Sequence, residues 1–332
     1  MQTGPSVNGS TRRQTAGKVV IAHRGASGYL PEHTLAGKAL AYGMGAHYLE
    51  QDVVLTKDDH PIVLHDIYLD TVTDVAAIYP DRAREDGRYY AIDFTLEEIR
   101  RLRSSERIDP LTGKVVYPGR FPRGRSVFGI VTLREEIELI QGLNKSLNRE
   151  VGIYPELKAP RFHAEQGKDL PAIVLPILTD YGYVKGDGAC LLQCFDSETL
   201  RRLQFDLQSE LTLVQLIGDE CREWDEVQAG VLNWEDWLDE IPRYADGIAP
   251  DMELVYDGQE ETGARPVSAL VNQAHSRGMF VHPYNVRADV LPEYARSLQD
   301  LLEIFYFRIG VDGLFTDFPD RAIRFLEHIA AR

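Results

Sequence analysis

Two carboxylates, Glu50 and Asp52, sit inside a run of branched and aromatic residues, Tyr48-Leu49-Glu50-Gln51-Asp52-Val53-Val54-Leu55. Such a run reads as a buried β-strand. Strand side chains alternate between faces, so positions i and i+2 share one. Two anions on one face of a core strand repel each other and are costly to bury unpaired. Something positive must accompany them, either a divalent cation or a cluster of Arg, Lys and His. In the second case Glu50 and Asp52 would pair with Arg24 and Lys158 as a structural ion network.

Other polar residues close apolar runs in the same way. His23 and Arg24 follow Val19-Val20-Ile21-Ala22, and His65 and Asp66 follow Pro61-Ile62-Val63-Leu64. Glu156 and Lys158 end the run that begins at Val151 and repeat the i, i+2 spacing. Gln193, Tyr284 and Asp317 end later runs. Each residue type has a matching chemistry. Glu50, Asp52 and Glu156 are hard oxygen ligands suited to Mg2+ or Ca2+. Arg24 and Lys158 suit an anion, and Arg can grip phosphate bidentately. His23 and His65 can exchange protons near neutral pH, which implies a bell-shaped rate profile around neutrality. A metal, an anion clamp and two histidines make a set for phosphoryl transfer. Glu32 either caps the first helix or partners Arg24, and Asp66 either orients His65 or caps a turn. His282 precedes a proline and walls the pocket. His33, His47, His60, His163, His275 and His328 read as surface or structural residues.

These residues require a scaffold that gathers strand ends. Short apolar runs alternate with helical stretches in about eight strand–helix pairs, which implies a parallel sheet. That number of units fits a closed (β/α)8 TIM barrel, whose sites lie at the carboxyl ends of the strands. An open doubly wound sheet is the alternative. No GxGxxG follows a strand, so no dinucleotide site is indicated. Residues 67–125 interrupt the rhythm and are expected to form an insertion capping the site, with a helical piece at 96–103. Residues 1–17 read as a polar tail before a domain at 18–332. The stretch 224–237 reads as one amphipathic aromatic helix, 291–307 as containing one long helix, and 267–277 as another.

The 332-residue chain is 44% hydrophobic with a formal net charge of −16. Its acidity argues against nucleic acid as a partner and against adsorption to anionic membranes. No apolar run reaches the ~18 residues of a spanning helix, so stable membrane insertion is not expected. Cys190, Cys194 and Cys221 form no disulfide framework or zinc spacing and read as core residues in a reducing compartment. The first 18 residues lack the apolar stretch of a signal peptide. The chain as written therefore reads as cytoplasmic, and as periplasmic if a leader has been removed.

Five linked motifs occur in order: His23-Arg24-Gly25-Ala26 with Pro31-Glu32-His33-Thr34, Glu50-Gln51-Asp52-Val53, His65-Asp66, Pro155-Glu156-Leu157-Lys158 and Thr316-Asp317-Phe318-Pro319. Together they resemble the glycerophosphodiester phosphodiesterases over nearly the whole chain. The insertion resembles that of the longer bacterial periplasmic type. The resemblance implies a TIM barrel with an inserted cap that hydrolyses glycerophosphodiesters such as glycerophosphocholine and glycerophosphoethanolamine to glycerol 3-phosphate and an alcohol. It implies His23 and His65 as the acid–base pair, and Glu50, Asp52 and Glu156 as ligands of one divalent cation, Ca2+ or Mg2+. Arg24 and Lys158 would contact the phosphate, Tyr284 would line the substrate site, and Glu32, Asp66 and Gln193 would support them. Two other readings use the same barrel. One is a lyase or phospholipase on intact lysolipids, with Trp224, Trp234 and Trp237 facing a membrane. The other is a catalytically silent binding protein.

Overall fold

The computed structural model describes residues 17–184, 188–256 and 269–331. The polar tail expected over 1–17 lies outside them except for Gly17. The helix expected from residue 267 also begins outside them and is described as Ala269–Ser276.

Short branched runs supply the strands. β1 (Val19–Ala22), β2 (Tyr48–Leu55), β4 (Gly152–Leu157), β5 (Leu191–Cys194), β6 (Thr212–Ile217), β7 (Gly247–Pro250), β8 (Phe280–Val281) and β9 (Gly313–Thr316) form one parallel sheet in the order β8-β7-β6-β5-β4-β2-β1-β9. The first strand pairs in parallel with the last, from Val19 opposite Gly313 to Ala22 opposite Thr316. Backbone hydrogen bonds from Asp312 to Val281 and from Phe315 to Pro283 link the two ends of that order. The result is a nearly closed eight-stranded barrel. These bonds between the β9 and β8 ends exclude the open doubly wound sheet.

Alternation along the strands separates two cores. Val20, Ala22, Leu49, Val53, Ile153 and Leu192 face the surrounding helices. Ile21, Tyr154, Leu191, Val214 and Phe315 fill the barrel interior. Side-chain caps start the helices. Thr34 accepts from the Gly37 amide at Leu35–Gly43, Thr132 forms a capping box with Glu135 at Leu133–Leu147, and Asp196 accepts from the Thr199 amide at Ser197–Phe205. Each cap satisfies amides that a helix N-terminus leaves open. All three cysteines are buried and free.

Several sequence expectations need correction. The run at Pro61 is not a barrel strand. β3 (Pro61–Val63) returns antiparallel along β2, with Val53 opposite Val63, because only a tight turn separates them. His65 thus reaches the barrel mouth from a hairpin. The stretch 224–237 is two short helices, Arg222–Gln228 and Trp234–Glu240. Gly230, at φ 69°, breaks the first, and Asn233 caps the second. The stretch 291–307 holds a helix only at Leu298–Glu303, which widens into a π-helical turn at Ile304–Ile309.

Between β3 and the helix Leu133–Leu147, the chain builds a third apolar cluster. Leu69, Val72, Val75, Phe94, Ile99 and Ile130 pack there on Val54 and Ile62 of the β2–β3 hairpin. Its helices are short, Val75–Ile78 and Leu96–Ile99.

Candidate active site

The register of three strands sets a polar row across the barrel. Asp52 of β2 lies opposite Glu156 of β4, and Glu156 lies opposite Gln193 of β5. Glu50, two residues before Asp52, shares its face. All four are buried. Lys158 follows Glu156 by two residues, and its Nζ lies 2.9 Å from Glu156 Oε1 and 3.2 Å from Glu220 Oε2.

The turn after β1 adds the next two groups. Arg24 takes a left-handed backbone, at φ 56°, and its amide donates to Glu50 Oε2. Its guanidinium pairs with Glu32 at 3.0 Å. Thr34, not Glu32, caps the following helix. His23 lies beside Asp317 because Ala22 and Thr316 are in register. His23 Nδ1 donates to Asp317 Oδ1 at 2.6 Å, and Nε2 is left facing Asn285 Nδ2 at 3.3 Å. His65 repeats the arrangement, with Nδ1 2.6 Å from Asp66 Oδ1. A carboxylate on Nδ1 fixes the tautomer and leaves Nε2 as the proton-accepting nitrogen, to which the Asn285 amide donates in His23.

These groups line one cavity of about 140 Å³. Of the residues singled out from sequence, His23, His65, Glu50, Asp52, Glu156, Arg24, Lys158, Gln193 and Tyr284 reach its wall. Glu32 and Asp66 stand behind Arg24 and His65. His282 lies inside the barrel, against the Tyr154 hydroxyl at 3.3 Å, rather than on the cavity wall.

Sequence reasoning missed four contributors. His33, read as a surface or structural residue, is buried with Nε2 2.6 Å from Asp52 Oδ2. Nothing in its local sequence separates it from an exposed loop histidine. Asn285 approaches His23. Arg107 and Arg120, from the stretch after β3, grip Glu32 with Asp66, and Asp289 with Asp317. Both lie in the interrupted stretch 67–125, where no periodicity gives a side chain a direction. The three tryptophans pack on one another across two helices rather than along one. Trp237 is buried, Trp234 Nε1 donates to Gln273, and Trp224 and Trp234 meet edge to face. No helix among the described residues is long and apolar enough to cross a membrane.

Electrostatics separate the groups sharply. Four carboxylates, Glu50, Asp52, Glu156 and Glu220, line the cavity against two cations, Arg24 and Lys158. Burial and then the neighbouring Asp52 push the Glu50 carboxyl well above the usual carboxylate range. Burial does the same to Glu156 against the pull of Lys158. Asp52 is held well below that range, its burial outweighed by the hydrogen bond to His33 and the Lys158 charge.

Both histidines are held down. Burial and the Arg24 charge lower His23 to about 4, against the pull of Asp317. Burial, Arg24 and Lys158 also lower His65, although 24% of its side chain is exposed. Both directions lead away from the titration around neutrality expected from sequence. In the unliganded protein, proton NMR of both imidazoles is expected to show no titration between about pH 6 and pH 8. A midpoint near the ordinary histidine value for either would contradict this lowering. The same shifts set a stability slope. The unfolded chain takes up these protons near the ordinary histidine value and the folded chain does not, so stability falls as pH drops through that value towards about 4 for His23.

The residues fit a divalent cation. Glu50 and Asp52, with His33, bring one ligand atom each to within 4.8 Å of one another. We assign His33 to Asp52 as a hydrogen-bond partner, since their 2.6 Å contact is a hydrogen-bond distance. Asp52 Oδ1 and Gln193 Oε1 are buried oxygens without a hydrogen-bond partner among the described residues. Glu156 lies between them in the row, outside that 4.8 Å group. An all-oxygen set with surplus negative charge suits a hard cation.

The family model for glycerophosphoryl diester phosphodiesterases matches residues 23–321. The chain belongs to this family. It is 43% identical to the glycerophosphodiester phosphodiesterase of Haemophilus influenzae, covering 98% of this chain and 94% of the relative. It is 36% identical to that of Treponema pallidum, covering 93% and 92%. Among solved structures, a glycerophosphoryl diester phosphodiesterase from Silicibacter pomeroyi shares the fold, with a TM-score of 0.68 at 24% identity, covering 94% of each chain. An Oleispira antarctica phosphodiesterase, solved with the product sn-glycerol-3-phosphate, superimposes with a TM-score of 0.61 at 22% identity, covering 93% of this chain and 96% of that one. The protein is thus an enzyme of glycerophosphodiester phosphodiesterase type on a TIM barrel.

Proposed function

We propose that the enzyme hydrolyses glycerophosphodiesters, glycerophosphocholine and glycerophosphoethanolamine among them, to sn-glycerol 3-phosphate and an alcohol by acid–base catalysis between His23 and His65. One observation carries this reading: two imidazoles, each oriented by a carboxylate on Nδ1, line the same cavity as the three-carboxylate row. Glu50, Asp52 and Glu156 would hold one divalent cation, Ca2+ or Mg2+. When bound, such an ion supplies positive charge that stabilises developing charge on phosphate oxygens.

The chain's own residues do the rest. Arg24 and Lys158 bind the remaining phosphate oxygens and offset their charge. One imidazole accepts the proton of the attacking hydroxyl at Nε2. The other delivers a proton to the leaving alkoxide. Both are neutral in the free enzyme, so the acid gains its proton as the anionic phosphate enters, since a nearby anion favours the imidazolium. The residues after β3 supply Arg107 and Arg120, which hold Asp66 and Asp317 behind the two imidazoles.

Hydrolysis of glycerophosphocholine by the purified enzyme tests the reading. Choline release is expected with added Ca2+ or Mg2+, to fall to background in EDTA, and to drop by about 10²-fold or more in Glu50→Ala. Turnover that survives both treatments would refute the cation site. Faster turnover of lysophosphatidylcholine would move the enzyme to intact lipids.

A further inference from the structure

Two arginines from the stretch between β3 and the helix Leu133–Leu147 reach the carboxylates behind the site. Arg107 straddles Glu32, with Nη2 2.6 Å from Oε1 and Nε 3.0 Å from Oε2. Its third nitrogen, Nη1, lies 2.6 Å from Asp66 Oδ2. The other oxygen of Asp66 holds His65. Arg120 repeats this design on the opposite wall. It straddles Asp289, with Nε 2.8 Å from Oδ2 and Nη2 3.1 Å from Oδ1. Nη2 also lies 2.6 Å from Asp317 Oδ2, and the other oxygen of Asp317 holds His23. The Arg120 side chain is 4% exposed and that of Arg107 16%.

We propose that Arg107 and Arg120 are positioning residues for the two histidines, acting through Asp66 and Asp317. Each arginine uses two nitrogens to lock itself on an anchoring carboxylate. The remaining contact fixes the rotation of a second carboxylate, and that rotation aims the imidazole. A planar guanidinium does this and an ammonium does not, because the donors must be held at fixed angles. The two sides differ in one respect. Arg287 Nε also reaches Asp317 Oδ2 at 3.0 Å, so Asp317 keeps one cationic partner when Arg120 is removed. Among the described residues, Asp66 keeps only the Thr71 hydroxyl, at 2.6 Å, as a direct side-chain partner besides His65. Arg107 therefore matters more to His65 than Arg120 does to His23.

The proposal rests on the reading of His23 and His65 as the acid–base pair, and crossed double variants separate the two. Arg107→Met is expected to lower kcat on glycerophosphocholine about tenfold with KM little changed, and Arg120→Met to lower it less. In a His65→Ala background Arg107→Met should cost much less than in the wild type, the remainder passing through Glu32 to Arg24, while in a His23→Ala background it should keep its full effect. Arg120→Met should show the reverse pattern. A loss of equal size in both backgrounds would mean general damage to the fold and would overturn the positioning role. Near-normal kcat in the histidine variants alone would instead overturn the acid–base reading. Where Arg107→Met does not yield folded protein, Arg107→Lys keeps the charge without the fork. It runs the same cycle, and the same two results support or overturn the positioning role.

Discussion

Alanine at His23 or at His65 is expected to cut kcat for glycerophosphocholine by about 10²-fold or more while the protein stays folded. Both rings are oriented by a carboxylate on Nδ1 and both reach one cavity, so neither can cover for the other's proton transfer. Losing the base leaves the attacking hydroxyl protonated; losing the acid makes the alkoxide leave with a full charge. The double variant should be hardly slower than the worse single one, because residues that act as a unit are not additive. Removing either ring should not unfold the barrel, since each is neutral in the free enzyme and lies at its mouth. Choline release under saturating substrate, with a thermal melt of each variant, checks both halves of the expectation. Near-normal turnover in both single variants would sink the assignment.

The second large effect concerns stability. Behind β2, away from the cavity, Lys38 Nζ lies 2.7 Å from Glu136 Oε1, and both side chains are fully buried. Lys38 also donates to the Glu50 carbonyl, and Gln51 Nε2 donates to Glu136 at 2.8 Å. Two helices, Leu35–Gly43 and Leu133–Leu147, are thereby pinned to the strand that carries Glu50 and Asp52. Lys38→Met should destabilise the protein by about 3–5 kcal/mol, because the Glu136 charge is left buried without a counter-charge, held only by the Gln51 amide. Adding Glu136→Gln removes that charge but keeps an acceptor for Gln51. The double variant should therefore recover most of the loss. Urea midpoints of the wild type and the two variants make the comparison. Equal loss in single and double variants would show that the pair does not carry the effect.

The legible part of this protein was the part written as local pattern. Alternation along β2 and β4 put Glu50, Asp52, Glu156 and Lys158 on common faces, and strand-end positions gathered His23, Arg24 and Gln193 with them. Each of those inferences needs only the two-residue period of a strand and the polarity of a barrel. What stayed hidden depends on contacts between distant segments. Lys38 sits in a helix that looks like any amphipathic one, and its partner is Glu136. His33 differs from the exposed histidines only by meeting Asp52. Arg107 and Arg120 lie in a stretch with little periodic structure, so no pattern assigns them a direction. The hairpin return of β3 was hidden for another reason. A three-residue apolar run has the same composition whether it extends a barrel or doubles back.

His23 leaves the first barrel strand and Asp317 leaves the last, so the hydrogen bond between them joins residues 294 apart in sequence. At ordinary synthesis rates, roughly 15 to 60 seconds separate the appearance of the two on the ribosome. Throughout that interval the nascent chain holds an imidazole with no carboxylate to orient it and a β1 edge with no neighbour on one side. Contacts of such separation are also the slowest to form in a folding chain. Barrel closure and the assembly of this histidine pair are therefore one event, and a chain stopped anywhere before Asp317 has no competent form to reach.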